Sequence, residues 1–146
     1  MELKGIAIRI KPKAEMTLID KCTVDIHEGI IEDARGKSKR RQITILSEDD
    51  WSQVQQTIGQ DMHWSKRRAN LLINGLHFGP ESVGKRLLIN DQVLLEVIME
   101  CDPCHRMDAV HPKLREALTP DWRGGICCKV INPGRLSLGS NVVWHD

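Results

Sequence analysis

The sequence predicts a mainly β protein, and two observations lead to that prediction. Short runs of β-branched and aliphatic residues recur along the 146-residue chain, and turn signals rich in Gly, Pro and Asn separate them. Helical periodicity is confined to two short segments, so the alternation of strands with long helices that is typical of a parallel α/β sheet is absent. We therefore expect a single domain over residues 1–146, with a β-barrel-like fold and a few short helices on its rim.

The first part of the chain predicts three strands. Residues 5–10 alternate Ile6, Ile8 and Ile10 with Ala7 and Arg9, which is typical of a strand with one solvent-exposed face. The basic Lys11 follows this strand. The other two strands are predicted at residues 18–26 and 42–46.

A helix is predicted directly after the third strand. Ser47 is a typical N-cap, and the acidic residues that follow it lie where the helix dipole favours negative charge. Trp51, Val54 and Ile58 recur at helical spacing and predict a buried face. Gly59 is expected to end the helix.

The second half of the chain again alternates strands and turns. Pro112 predicts the start of a second, short helix, because proline is tolerated in the first helical turn. Residues 136–144 predict a final hairpin that turns at 139–141. The other predicted strands are residues 71–73, 86–89, 92–100 and 126–131.

The composition excludes several classes of protein. The formal net charge is +1 and only 3% of the residues are aromatic, which argues against a nucleic-acid-stacking platform. The N-terminus has no apolar signal segment and no run is long enough to cross a membrane, so we expect a cytoplasmic protein. The five cysteines have no disulfide-scaffold spacing and are expected to be reduced thiols.

The segment from Cys101 to His105 carries the main chemical signal. It follows the predicted strand 92–100, and Pro103 cannot continue strand pairing, so Cys104 is expected at the edge of the sheet. The spacing Cys101-x-x-Cys104-His105 matches a c-type haem attachment pattern, but the predicted strand context does not favour it. The same context argues against a thioredoxin-like redox pair.

A zinc or other metal site is an alternative for this segment. Cys101 and Cys104 have the spacing of half a tetrahedral site, and His105 lies beside them. The remaining ligands would come from His111 or from a pair of adjacent cysteines. That pair, Cys127 and Cys128, would point to opposite faces of a strand, so a closed four-cysteine site would be strained.

A third interpretation combines Cys104 with an anion-binding pocket. Residues 35–41 include five cations, and Arg68 and Asn70 share a face at the start of a strand. Arginine offers a fork of donors to phosphate, and nearby cations stabilise a thiolate. Barrel folds also bind oligonucleotides, so a nucleic-acid-binding barrel that uses the basic runs is a further alternative.

Several motifs, taken in order, resemble the MOSC domain, the module named after the C-terminal part of molybdenum-cofactor sulfurases. The resemblance covers about residues 5–143, nearly the whole chain. It rests on Gly29-Ile30-Ile31-Glu32-Asp33, Arg41-Gln42-Ile43-Thr44, the segment from Arg67 to Leu76, Val83-Gly84-Lys85-Arg86-Leu87 and Asp102-Pro103-Cys104.

The resemblance implies a site for the molybdenum cofactor, a phosphorylated pterin dithiolene. Cys104 occupies the position of the family cysteine that carries sulfur or ligates molybdenum. Arg68 and Asn70 match the family's Arg-x-Asn, which is associated with cofactor binding, and Lys11 and Arg41 match further basic positions.

Two modes of action remain open. Cys104 either carries a sulfane sulfur or ligates molybdenum during reduction of N-hydroxylated substrates. The expected partners are a cysteine desulfurase, an electron-donor protein or a molybdoenzyme, because the chain carries no pyridoxal phosphate-dependent desulfurase domain of its own. Cys101 is either a resolving thiol or a packed strand residue.

Overall fold

The computed structural model describes residues 1–35 and 40–145, and it confirms the mainly β class. The two α-helices of this part are α1 (Glu48–Ile58) and α2 (Leu114–Leu118). The strands are β1 (Leu3–Ile8), β2 (Thr17–Ile19), β3 (Lys21–Asp25), β4 (Gly29–Ile30), β5 (Ile43–Ser47), β6 (Leu71–Ile73), β7 (Arg86–Ile89), β8 (Val93–Glu100), β9 (Ile126–Asn132), β10 (Gly134–Ser137) and β11 (Val142–His145).

Eight strands form one sheet and three form another. The order in the large sheet is β11-β7-β8-β9-β5-β6-β1-β2, and the small sheet has the order β10-β3-β4. Every pairing is antiparallel except that of β5 with β6, which is parallel and is connected through α1. A parallel pair needs such a crossover, which explains why the longest helix stands at this point of the chain.

The large sheet is open, whereas the sequence predicted a barrel-like arrangement. Among the described residues no strand ladder joins the edge strands β11 and β2. A single bridge between Glu2 and Asn141 ties the start of the chain to the loop before β11. Backbone hydrogen bonds from Leu3 to Ser140 and from Val142 to Met1 reinforce it. The sheet therefore curls towards closure without completing it.

Apolar side chains fill both faces of the large sheet. Strand β5 is buried along its whole length, so it contributes to two cores. One core lies between the two sheets and includes Ile43, Ile45 and Leu71. The other packs α1 and α2 against the opposite face, through residues such as Trp51 and Leu118. Burial on both faces explains why the apolar pattern of β5 is continuous rather than alternating.

Helix α1 confirms the sequence prediction at both ends. The Ser47 side chain accepts a hydrogen bond from the Asp50 amide, as an N-cap should. Gly59 adopts the left-handed conformation with φ 71°, and its amide bonds to the last-turn carbonyls. The buried face is Trp51, Val54 and Ile58, as the spacing predicted.

Three local predictions were wrong. The strand expected at residues 18–26 is split at Asp20 into β2 and β3, which join different sheets. Residues 136–144 do not form a hairpin, because β10 pairs with β3 and β11 pairs with β7. Arg9 does not lie on a solvent-exposed face: only 3% of it is exposed.

Over the part of the chain that the structure describes, no helix is both long enough and apolar enough to cross a membrane.

Candidate functional site

A cavity of about 390 Å³ opens where the carboxyl end of β8 meets the loop before β6. Its wall is built from five separate parts of the chain, which the sheet brings together. Fourteen residues line it: Arg9, Arg35, Arg41, Thr44, Arg67, Arg68, Ala69, Cys101, Asp102, Cys104, Arg106, Met107, Val110 and Cys127.

The charge of this cavity differs from that of the whole chain. Among the described residues, six of those that line the cavity are arginines, and Asp102 contributes the only lining carboxylate. The chain as a whole carries a formal charge of +1. The fold therefore concentrates positive charge at one site, which focuses the field on anionic ligands.

Cys104 lies at the edge of the sheet, where the sequence predicted it. It is half-buried, lines the cavity and precedes a 3₁₀ helix over His105–Ala109. Its carbonyl accepts a hydrogen bond from the Met107 amide, which fixes the start of that helix. Pro103 ends the strand pairing, and the chain turns so that the thiol reaches the cavity.

Cys101 lies one residue beyond the end of β8 and also lines the cavity. Its amide donates to the Gly125 carbonyl at 2.9 Å, so the ladder with β9 continues through this residue. The Arg67 guanidinium donates through Nη2 to the Cys101 carbonyl at 2.8 Å and to Cys101 Sγ at 3.2 Å. Arg67 Nε donates to the Gly124 carbonyl at 3.1 Å.

The local electrostatics separate the two thiols that meet here. A hydrogen bond from the Cys127 thiol and the charge of Arg67 lower the pKa of Cys101 to about 6, against the opposing effect of burial. The same hydrogen bond and burial raise the pKa of Cys127. Cys101 is therefore the thiol that ionises first, and Cys127 keeps its proton.

Two acidic side chains lie beside this pair of thiols. Burial, a hydrogen bond that the protonated Glu100 donates to Asp102, and the charges of Asp102 and Cys101 raise the pKa of Glu100 to about 7. Asp102 itself is exposed and lines the cavity. Glu100 therefore gains a proton more readily than an isolated carboxylate does.

A buried polar cluster lies behind the cavity wall that Arg9 and Arg68 form. The Arg9 amide donates to Asp33 Oδ1 at 2.8 Å, and Arg9 Nη1 approaches both Asp33 oxygens at 3.2–3.3 Å. Arg9 Nη2 donates to the Arg68 carbonyl at 2.9 Å. Asn70 donates to Asp33 Oδ2 at 3.0 Å and to the Ala7 carbonyl at 3.2 Å.

Asn70 lies within this cluster rather than among the cavity-lining residues. Only 3% of it is exposed, and its side-chain oxygen accepts from both the amide and the hydroxyl of Thr44. All of its polar atoms are thus engaged inside the protein. Its role here is to orient Asp33, which in turn holds Arg9 against the carbonyl of Arg68.

The other predicted binding residues lie at different distances from the cavity. Arg68 lines it, adopts a left-handed backbone with φ 66° and donates to the Ala14 carbonyl. Arg41 also lines it and donates to Met99 Sδ at 3.1 Å. Lys11 is exposed in the turn after β1 and is not a lining residue.

The basic run 35–41 falls only partly within the described residues. Arg35 and Arg41 line the cavity, which is consistent with the predicted anion pocket. Residues 36–39 lie outside the part of the chain that the structure describes.

The described part of the chain contains no cluster of side chains that would form the alternative metal site. Within residues 1–35 and 40–145, no group of three or more His, Cys, Asp or Glu side chains could hold a metal ion. His105 is exposed, and His111 Nδ1 accepts from the Lys113 amide. Cys127 and Cys128 face opposite sides of β9 as predicted, since Cys127 lines the cavity and Cys128 packs in the core between the sheets.

Sequence reasoning did not assign Arg9, Arg67 or Cys127 to the anion-binding pocket. Arg67 stands next to the predicted Arg68, so the paired cations were a usable signal. Arg9 follows a strand in which the alternating pattern predicted exposure. Cys127 reaches the cavity only through the register of β9 against β8, which the sequence does not show.

Comparison with known proteins gives a consistent picture. The family model described as MOSC domain matches residues 31–143. No curated protein matches the sequence.

Solved structures share the fold over nearly the whole chain. YuaD from Bacillus subtilis superposes with a TM-score of 0.79 at 22% identity, covering 97% of this chain and 93% of that one. YiiM from Geobacillus stearothermophilus gives 0.76 at 17% identity, covering 99% and 75%. YiiM from Escherichia coli gives 0.74 at 14% identity, covering 100% and 70%.

Proposed function

Because the chain belongs to the MOSC domain family, we propose that its arginine-lined cavity binds the molybdenum cofactor, a phosphorylated pterin dithiolene. The observation that carries this proposal is the meeting of six arginines and the Cys101 and Cys104 thiols around one cavity. The arginines are suited to the phosphate, and a thiolate is suited to sulfur or metal chemistry.

The donor set of the cavity fits such a ligand. Its volume of about 390 Å³ lies within the range usual for small-molecule sites. Arg68 and Arg106 have no carboxylate within ion-pair distance among the described residues, so their charge is available to an anion. Charge-assisted hydrogen bonds of this kind contribute about 1.5–3 kcal/mol each.

The predicted residues would divide the work of binding. Arg68 and Arg41 would contact the phosphate from the cavity wall, and Lys11 would add positive charge from the turn after β1. Asn70 would act indirectly, because it orients Asp33 and Arg9 behind Arg68. Cys104 would carry sulfur or ligate molybdenum.

When bound, the cofactor supplies a redox-active metal that accepts sulfur or oxygen ligands. Both sulfur transfer and the reduction of N-hydroxylated substrates use such chemistry. In the first mode Cys104 carries the sulfur and a cysteine desulfurase or a molybdoenzyme is the partner. In the second mode Cys104 is a ligand and an electron-donor protein is required.

The test is metal and pterin analysis of the full chain, purified without oxygen from a host that makes the cofactor. We expect near-stoichiometric molybdenum with a phosphopterin in the wild type and loss of molybdenum in Cys104→Ser. Arg106→Gln should weaken retention by about tenfold, since it removes one charge-assisted contact. Arg115→Gln is the matched control, because Arg115 is exposed on α2 and pairs with Asp108 at 3.8 Å.

Two results would overturn the cofactor proposal. One is a wild-type protein that neither retains the cofactor nor takes it up when incubated with cofactor released from a molybdoenzyme. The other is equal loading of the wild type, Cys104→Ser and Arg106→Gln.

A further inference from the structure

The Arg67 guanidinium is buried and faces sulfur where a carboxylate would be usual. Only 7% of Arg67 is exposed, and its guanidinium donates hydrogen bonds to two carbonyls, to Cys101 Sγ and, at 3.9 Å, to Met107 Sδ. Among the described residues it has no carboxylate within 4.0 Å. A buried cation without a counter-charge is costly, and a thiolate on Cys101 would supply that charge.

A second group favours the same ionised thiol. Cys127, 2% exposed on β9, is hydrogen-bonded to Cys101 and keeps its proton. Cys101 therefore lies between one fixed cation and one S–H donor. The charged and titratable groups that act on it or lie beside it are Arg67, Arg35, Cys127, Glu100 and Asp102.

Cys101 remains accessible despite these contacts. It is half-buried and lines the same cavity as Cys104, whereas Cys22 and Cys128 lie in the apolar core. The arginines around the cavity attract anionic reagents towards it. A thiol that is ionised, reachable and electrostatically favoured by its surroundings meets the requirements for a nucleophile.

We propose that Cys101 is the sulfur-accepting nucleophile of this cavity and takes sulfane sulfur from an anionic persulfide donor, with Arg67 as its positioning residue. The Cys101 thiolate attacks the outer sulfur of the donor R–S–SH. A new S–S bond forms on Cys101, the bond inside the donor breaks, and its electron pair leaves on the donor as a thiolate. The outer sulfur keeps its proton, so the exchange needs no oxidant or reductant.

This inference rests on the sulfur-transfer mode of the proposed function and divides that mode between two thiols. Cys101 accepts sulfur from the donor, and Cys104 is the thiol that acts at the cofactor. The role of Cys101 as a packed strand residue, left open by the sequence, is thereby replaced by a chemical one.

The experiment uses the reduced full chain and glutathione persulfide as the probe. After brief exposure at pH 6 and the alkylation of remaining thiols, peptide mass mapping locates the added sulfur. We expect it on Cys101 in the wild type and in Cys104→Ser. In Arg67→Gln the rate at Cys101 should fall about tenfold, because a thiol of ordinary pKa is scarcely ionised at pH 6 while its higher basicity offsets part of that loss. Arg67→Lys should retain more of the rate.

Replacing the buried arginine could unfold the chain, so a second pair of variants tests the same idea. Cys127→Ala removes the S–H donor and should slow transfer to Cys101. Cys128→Ala is the matched control, since it removes the adjacent thiol on the opposite face of β9 and should leave the rate unchanged.

The inference is overturned if sulfur appears only on Cys104, or if folded Arg67→Gln and Cys127→Ala both react like the wild type. These outcomes are independent of cofactor loading. A protein that binds molybdenum but leaves Cys101 unmodified retains the proposed function and loses this inference. A protein that modifies Cys101 but never takes up cofactor does the reverse.

Discussion

Two walls of one cavity hold their buried arginines in different ways. On one wall Arg9 Nη1 faces Asp33 Oδ2 at 3.2 Å, and Asn70 donates a hydrogen bond to the same oxygen at 3.0 Å. On the other wall Arg67 faces carbonyls and the Cys101 sulfur. The first cation is paired with the Asp33 carboxylate, whereas the second has no carboxylate partner among the described residues and gains a counter-charge when Cys101 ionises. A compensated charge supports the structure, and an uncompensated one is available for chemistry.

The largest expected effect comes from removing the carboxylate that pairs with the buried Arg9. Asp33→Ala leaves the Arg9 guanidinium buried without its anion, and it should lower the free energy of unfolding by about 3–5 kcal/mol. Urea denaturation measures this. The control is Asp108→Ala, whose pairing with Arg115 involves side chains that are both 52% exposed, and it should cost about 0–1 kcal/mol. Equal losses in the two variants would contradict the distinction between the walls.

Asn70→Ala should have the next largest effect. It removes the partners of Thr44, Ala7 and Asp33, and each buried group left unsatisfied costs about 1–3 kcal/mol. The control is Thr57→Ala, which loses an exposed hydrogen bond on α1 and should change stability little. Urea denaturation gives the stability, and molybdenum analysis gives the loading. If loading collapses while stability is kept, Asn70 contacts the ligand directly and the supporting role is wrong.

The contrast between the walls also explains what the sequence could predict. The caps of α1, strand β8 and the position of Cys104 follow from local signals: an N-cap serine, a left-handed glycine, alternation and a proline. The buried clusters depend on residues that are far apart in the chain. Arg9 meets Asp33 across 24 positions, and Arg67 meets Cys101 across 34. No local pattern contains such a pairing.

The wrong hairpin has the same origin. The turn signal at residues 139–141 is real, but a turn fixes only where a strand ends. The partner strands are decided by register and burial, and β10 and β11 joined different sheets. Arg9 was misplaced for a related reason. Alternation predicts a solvent face only when nothing packs there, and here Asp33 arrives from another part of the chain.

A smaller effect is expected from crowding the contact between Arg67 and Cys101. A Cβ on Gly124 would lie 2.6 Å from the Cys101 carbonyl and 3.3 Å from Arg67 Nη2, so Gly124→Ala must shift one of them. We expect a loss of about 1–3 kcal/mol, typical of overpacking, together with slower alkylation of Cys101. Iodoacetamide kinetics followed by peptide mapping measure the second effect.

The control for this substitution is Gly59→Ala. Gly59 has a positive φ but nothing within 4 Å of the added Cβ, so the change strains the end of α1 without reaching the cavity. It should lower stability and leave Cys101 reactivity unchanged. If both glycine variants slow alkylation equally, the effect is a general loss of stability and the contact between Arg67 and Cys101 does not control the thiol.

The last expected effect is a pH dependence of stability that comes from Cys101. Its pKa is lowered to about 6 in the folded protein, while an unfolded cysteine titrates near about 8.5. Between these values the unfolded chain holds a proton that the folded thiolate lacks, so the stabilisation is complete above the unfolded value and is lost as pH falls towards 6. The wild type should therefore gain stability over Cys101→Ser as pH rises from 6 to 8.5.

Two further variants decide whether that slope comes from Cys101. Cys22→Ala removes a thiol whose pKa is raised by burial to about 12. Its free energy of unfolding, plotted against pH, should therefore run parallel to that of the wild type between pH 6 and 8.5. Glu100 titrates near 7 and interacts with Cys101, so the comparison is repeated in Glu100→Gln. If the difference between wild type and Cys101→Ser is flat in both backgrounds, Cys101 is protonated near neutral pH. Arg67 would then be a buried cation held by carbonyls without a thiolate partner. The Arg9 and Arg67 walls would then differ only in how much they contribute to the free energy of unfolding.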